Sequence, residues 1–217
     1  NILKEKGFAP DSEFNIENLV EEKGRIRMVL PKTTNYQIRL VLREGDLLSE
    51  LNKEVKHGEF DIAIMGSPRR KRMTNKISQF LDTSIFFVKN FNPNWNYKIL
   101  LCVDDSRATK RAVILSTRIS KQFDAEIISL TVSKTSFFGK GYRNAHTWAE
   151  RYLKRVGIPF ESKLLSGNPV DVFVDEAGED HIIIMGKAKG NEILKFIFGS
   201  KPIHTAQRSN CPVLMVN

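Results

Sequence analysis

His181-Ile182-Ile183-Ile184-Met185-Gly186-Lys187-Ala188-Lys189-Gly190, running on through Asn191 to Phe198-Gly199-Ser200, decides how this chain is read. Ile182 to Met185 form a short apolar run of the kind that fills a strand buried on both faces. Gly186 ends the run, and a lysine-bearing loop broken by glycine follows. Gly199-Ser200, with Pro202 just beyond, reads as a helix start with Ser200 as the N-cap. A loop that leaves the carboxyl end of a parallel strand and feeds a helix N-terminus suits a phosphate. Free backbone N–H groups and the positive end of the helix dipole both point there. Lys187, Lys189, Lys195 and Lys201 against the single acid Glu192 bias the loop further toward an anion. The competing reading is a solvated basic loop with a structural cap, because glycine turns recur throughout α/β proteins.

Working outward, the same pattern occurs earlier in the chain. Gly58-Glu59-Phe60-Asp61-Ile62-Ala63-Ile64-Met65-Gly66 matches residues 178–186 at six of nine positions, at an offset of 120. Upstream, Gly45-Asp46 opens a segment like the one after Gly167-Asn168. Downstream, Ser84 to Val88 parallels Pro212 to Val216 at an offset of 128. Such self-similarity argues for two copies of one unit. The change of offset removes eight residues from the first copy, where the second has its glycine loop. The expectation is a truncated, degenerate first domain over residues 1–93 and a complete one over 94–217.

The second copy can be followed element by element. Tyr97 to Val103 is a buried strand, and Ser106 caps a helix with Ala108, Ala112, Leu115 and Ile119 turned inward. Glu126 to Val132 is the next strand. Ala145, Trp148, Ala149, Tyr152, Leu153 and Val156 make a helical stripe ended by Gly157. His146 falls off that stripe and is expected on the surface. Phe160 to Leu165, a helix from Asn168-Pro169, the strand Ile182 to Met185, a helix from Ser200 and a strand Val213 to Val216 complete the unit. Alternation of this kind predicts a doubly wound, parallel, five-stranded α/β sheet. The first copy is shorter at its start, where Arg25 to Leu30 and Gln37 to Leu42 look like two strands with a short connection. The apolar strands that end the two copies would otherwise be exposed edges.

Composition narrows the class. The chain is 41% hydrophobic and 27% charged, ordinary for a globular protein. No run approaches the roughly 18 apolar residues of a membrane span, and no signal peptide opens it. Cys102 and Cys211 sit in strand-like runs, as reduced core thiols of a cytoplasmic protein would. The net charge of +9 makes anionic ligands more plausible. No regular basic stripe stands out, and Arg69-Arg70-Lys71-Arg72 reads as a solvated loop, so no nucleic-acid partner is expected. His57, His146, His181 and His204 are scattered, with no metal-ligand spacing.

Taken together, these residues resemble the universal stress protein family, over all of 96–217 and more weakly over 40–90. The ATP-binding branch carries Gly, two residues, Gly, nine residues, Gly, then Ser or Thr. Gly186 and Gly199-Ser200 stand thirteen apart as that pattern requires, while its middle glycine is Lys189 here, with Gly190 one place later. The family's Val-Asp-Gly-Ser appears as Val103-Asp104-Asp105-Ser106, and its closing strand as Cys211-Pro212-Val213-Leu214-Met215-Val216. The resemblance implies the adenine-nucleotide α-hydrolase-like architecture, with two tandem copies associating as a pseudo-dimer through their last strands. It implies a nucleotide site at Asp104, the Val132 backbone, Gly186, Lys187, Lys189, Gly190, Gly199 and Ser200, in the second half only. The ligand would be ATP or another adenine nucleotide such as AMP, with Mg2+ an optional companion.

Asp104 has two readings, an acceptor for ribose or base, and a member of a turn and helix cap. Lys189 either replaces a lost backbone contact with a charge or blocks the loop. Asp104-Asp105 holds a cation on a triphosphate or is simply solvated. No catalytic residue is marked, so a dedicated enzyme is not expected, at most slow ATP hydrolysis. The expected function is that of a cytoplasmic, stress-responsive sensor or regulatory module, with protein partners and further homodimerisation. The alternative is a non-nucleotide interaction domain, such as the soluble part of a membrane transporter, which would also account for the absent initiator Met.

Overall fold

The computed structural model describes residues 19–22, 25–28, 44–58, 60–66, 76–78, 80–92, 94–187 and 201–217. It divides into two compact units, Asn1–Glu50 and Leu51–Asn217. In the first, β1 (Leu19–Glu22) and β2 (Arg25–Met28) form an antiparallel hairpin with Leu19 opposite Met28 and Glu22 opposite Arg25. The strand expected from Arg25 is therefore present, but its partner precedes it in the chain. Gln37 to Leu42 lie outside the described residues. Helix α1 (Leu47–Gly58) begins just after Gly45, whose φ is +141°.

The second unit is built on one sheet of seven strands, not five. Its order is β3 (Ile62–Gly66), β4 (Ser84–Val88), β9 (Val213–Val216), β8 (His181–Gly186), β5 (Lys98–Cys102), β6 (Ile127–Ser133) and β7 (Phe160–Ser166). The five strands from residues 94–217 are all present and mutually parallel. They are joined by α2 (Arg107–Phe123), α3 (Lys140–Val156), α4 (Pro169–Ala177) and α5 (Lys201–Arg208). The count rises to seven because β4 pairs antiparallel with β9, through Ile85–Met215, Phe86–Leu214 and Phe87–Val213, and brings β3 in parallel beside it. An apolar strand such as Ser-Ile-Phe-Phe-Val lowers its free energy by covering an edge whose backbone groups would otherwise be unpaired.

The seam is reinforced by polar contacts. Lys89 Nζ donates to the Ser209 carbonyl and Asn90 Nδ2 to the Asn210 carbonyl. At the other end, Asn217 donates from its backbone to Ser84 Oγ and from Nδ2 to Asp82 Oδ1.

One face of the sheet is closed by α2 and α3. Their Ala112, Val113, Ala149 and Leu153 pack on Ile99, Leu101 and Val103 of the β5 segment and on Ile184 and Leu214. The chain then crosses back, and right-handed crossovers place α4 and α5, which pack on each other, on the opposite face. Local sequence explains the helix ends. Ser106 Oγ accepts from Thr109 N, and Asn168 Oδ1 accepts from Val170 N. Gly157, at φ +71°, supplies the left-handed cap of α3.

The buried line of α2 is not the expected one alone. Ala108 and Ala112 are buried together with Thr109, Val113, Ser116, Thr117 and Ser120, while Leu115 and Ile119 are half-buried. Small side chains let the helix lie close to the strands. Cys102 and Cys211 are buried and unbridged, and burial pushes the Cys211 thiol up to about 11. Among the described residues, no helix is long and apolar enough to cross a membrane.

Candidate functional site

The carboxyl ends of β5, β6 and β8 converge where the winding reverses, since β5 is flanked by β8 on one side and β6 on the other. Open parallel sheets hold ligands in that crevice. Four of the residues singled out in the sequence are described there: Asp104, Val132, Gly186 and Lys187. Lys189, Gly190, Gly199 and Ser200 lie outside the described residues.

Asp104 follows β5 by two residues and is half-buried. Its Oδ1 accepts from Ser106 N at 3.0 Å and from Thr109 Oγ1 at 2.5 Å, and Thr109 Oγ1 accepts from Asp104 N at 3.3 Å. The turn-and-cap reading of Asp104 is thus realised. Oδ2 makes no hydrogen bond among the described residues, so the same rigid turn presents a carboxylate oxygen for another acceptor role.

Val132 lies one residue inside the end of β6, with its side chain buried. The β5–β6 ladder closes with the Val103 N–H donating to the Leu130 carbonyl. Backbone groups on a strand alternate in direction, so those of Val132 point to the same side as those of Leu130, past the end of β5. That is the crevice side. A flat heterocycle with donor and acceptor edges suits such a strand overhang.

Gly186 has a packing role beside the one expected of it in a phosphate cradle. A Cβ there would stand 2.7 Å from Thr109 N, 2.8 Å from the Ala108 carbonyl carbon and 2.9 Å from Ala108 Cβ. The first turn of α2 rests directly on the end of β8, and only glycine leaves room for it. Lys187 is also committed: its N–H donates to the Val216 carbonyl at 2.6 Å and its Nζ to the Leu81 carbonyl at 2.5 Å. The ammonium therefore reaches across the seam to the chain that leads into β4.

His146 is buried, not on the surface. It makes hydrogen-bond contacts from Nδ1 to Thr131 Oγ1 at 3.1 Å and from Nε2 to Ser162 Oγ at 3.2 Å, with Glu150 Oε1 at 3.5 Å from Nε2. The sheet-facing line of α3 is His146, Ala149 and Leu153, and β6 and β7 offer hydroxyls where the ring lands. The apolar count missed this because Trp148 and Tyr152, half-buried at the flank, pulled the stripe sideways. A second contact was also missed. A Cβ on Gly141 would stand 2.7 Å from Asp105 Oδ2, so Asp105 lies against the first turn of α3. A glycine in a first helical turn was the available signal.

Among the described residues, no group of three or more His, Cys, Asp or Glu gathers to hold a metal.

Comparison with known proteins places the chain. The universal stress protein family profile matches residues 96–217. A universal stress protein of Methanocaldococcus jannaschii is 25% identical over 138 residues, covering 55% of this chain and 81% of that protein. A universal stress protein from Archaeoglobus fulgidus has the same fold, with a TM-score of 0.66 at 18% identity over 82% of this chain and 68% of its own. A universal stress protein solved in complex with cAMP aligns with a TM-score of 0.46 at 23% identity, over 56% of this chain and 97% of its own.

Proposed function

The chain belongs to the universal stress protein family, and on that premise we propose that residues 94–217 bind one adenine nucleotide, ATP or AMP, whose occupancy regulates the protein's partners. The observation that carries the reading is the placing of Asp104, just past the end of β5, beside the overhanging Val132 backbone of the adjacent β6, with Gly186 and Lys187 at the end of β8 on the other side of β5. The first supports ribose or base recognition, the second an adenine edge, and the loop from Lys187 to Ser200 the phosphates. The reading is one of binding and regulation, with at most slow ATP hydrolysis and Mg2+ as an optional companion.

We read the first half as an incomplete second copy. Gly45 and Gly167 share an unusual φ, +141° and +146°, each ahead of an acid or amide that accepts a backbone N–H in the first helical turn. Each is followed by a helix and then by a parallel strand pair, β3–β4 or β8–β9. The two pairs meet across β4–β9 in the manner of a pseudo-dimer.

Two observations favour the second reading, an interaction module without nucleotide. Lys187 is already occupied at Leu81, and Lys189 stands where the ATP-binding pattern has glycine.

Thermal melting separates the two readings. A ligand that binds only the folded state stabilises it by RT ln(1 + [L]/Kd), about 2.7 kcal/mol at a hundredfold excess over Kd. For a chain of this size that is a rise in Tm of about 5–10 °C. ATP is expected to raise the Tm of the parent protein and leave that of Gly199→Val unchanged, because a Cβ would intrude where backbone N–H groups approach the phosphates. Lys189→Gly, which restores the family spacing, is expected to keep or enlarge the shift. If neither the parent nor Lys189→Gly responds to ATP, ADP or AMP, the interaction-module reading replaces this one.

A further inference from the structure

We propose that the outer face of α2 and α3 is a docking surface for double-stranded nucleic acid, gripped through its phosphate backbone without reading base sequence. Helix α2 carries Arg107, Lys110, Arg111, Arg118 and Lys121 and no acid. Helix α3 carries Lys140, Arg143, Arg151, Lys154 and Arg155, and its single acid, Glu150, is turned toward His146. All ten basic residues are exposed. The chain has 34 basic and 25 acidic residues, so these two helices hold its whole net charge of +9 and the rest balances at 24 of each.

The spacing makes rows of these charges. Positions 107, 111, 118 and 121 recur on one line of α2, opposite buried Ala112 and Ser116. Positions 140, 143, 151 and 154 do the same on α3, opposite buried His146, Ala149 and Leu153. Both helices lie on the same face of the sheet. Each row is about 21 Å long, at about 1.5 Å per residue, and packed helices stand about 8–10 Å apart. That separation falls between the minor and major groove widths of a duplex, about 6 and 12 Å. Each row can therefore follow one strand of phosphates. Six of the ten are arginines, whose planar fork binds phosphate oxygens in pairs.

Three further observations favour this occupant. Among the described residues, none of the ten forms an ion pair; Lys110 instead sits 5.5 Å over the Trp148 ring, which stacks on Tyr152. The platform is thus stiff, and its like charges repel until an anion covers them. Asp104 and Asp105 before α2, and Asp124 and Glu126 after it, bound the rows without entering them, and Glu126 is paired with Lys98. Finally, the apolar sides of both helices are spent on the sheet, with Ala112, Val113, Ala149 and Leu153 fully buried. A bilayer-surface helix needs that side to insert.

The test is fluorescence anisotropy with a labelled duplex of mixed sequence, about 20 base pairs long, titrated from about 50 to 200 mM salt. The parent is expected to bind at low salt and to weaken steeply as salt rises. Arg118→Glu with Arg151→Glu is expected to weaken binding at least about tenfold and to flatten the log–log salt slope by about two, with Tm preserved. Lys56→Glu with Lys76→Glu changes the net charge equally outside these two helices and is expected to have a much smaller effect. Absence of duplex binding at low salt, or equal losses in the two double variants, overturns the proposal. Tighter binding to phosphatidylserine vesicles or to polyglutamate than to the duplex also overturns it, and assigns the face to a membrane or an acidic protein. The nucleotide site is tested separately by melting, so failure here leaves that reading standing.

Discussion

Gly186→Val is expected to destabilise the protein by about 2–3 kcal/mol, while Gly66→Val, at the same place in the repeated Ile-Met-Gly sequence, shifts stability by less than about 0.5 kcal/mol. The two glycines end the strands β8 and β3, whose sequences are similar. A Cβ on Gly186 meets the backbone of Ala108 and Thr109 at under 3 Å, and a backbone cannot step aside as a side chain can. A Cβ on Gly66 meets nothing within 4 Å. Urea unfolding of the two variants measures the difference directly. Equal midpoints would mean that α2 does not rest on β8, and the placing of Asp104 at the crevice would fall with it.

Phe87→Ala is expected to cost about 3–5 kcal/mol, the usual loss for a buried aromatic. Phe87 is 2% exposed in β4, beside fully buried Ile85, and its strand partner across the seam is Val213. Ile64→Ala, on the neighbouring β3, removes a side chain that is 70% exposed and is expected to change stability by less than about 0.5 kcal/mol. If β4 were an appendage to a five-stranded domain, Phe87→Ala would leave the main unfolding transition in place. Integration into one sheet predicts that the whole transition moves.

Much of this was legible in the sequence, for identifiable reasons. The central strands β5, β8 and β9 carry unbroken apolar runs, β6 and β7 mix apolar with polar residues, and Gly, Asn-Pro and Ser mark the helix ends, so the order of elements follows from local chemistry. The pairing of β4 with β9 was also readable, because two apolar strands at the ends of similar segments need cover. The enlarged sheet was not, since its strand count depends on contacts between distant parts of the chain.

The errors share that cause. His146 looked external because a helical count sees apolar side chains and not the Thr131 and Ser162 hydroxyls that receive the ring. The packing role of Gly186 was not visible because its neighbour in space, the first turn of α2, is remote in sequence. Asp104 was rightly left with two readings, and the structure makes one of its oxygens a cap and leaves the other. The basic rows escaped notice because charge was taken over the whole chain, where the acids near Asp171 and Glu179, on and beyond α4, dilute the cations of α2 and α3.

The proposed function requires that one adenine nucleotide occupy the crevice at the ends of β5, β6 and β8. Isothermal titration of the purified protein with ATP, followed by denaturation and mass identification of what it retains, tests this most directly. The expected result is a single site per chain that accepts adenine nucleotides and is lost in Gly199→Val. No heat and no retained nucleotide, or two equivalent sites per chain, would contradict it.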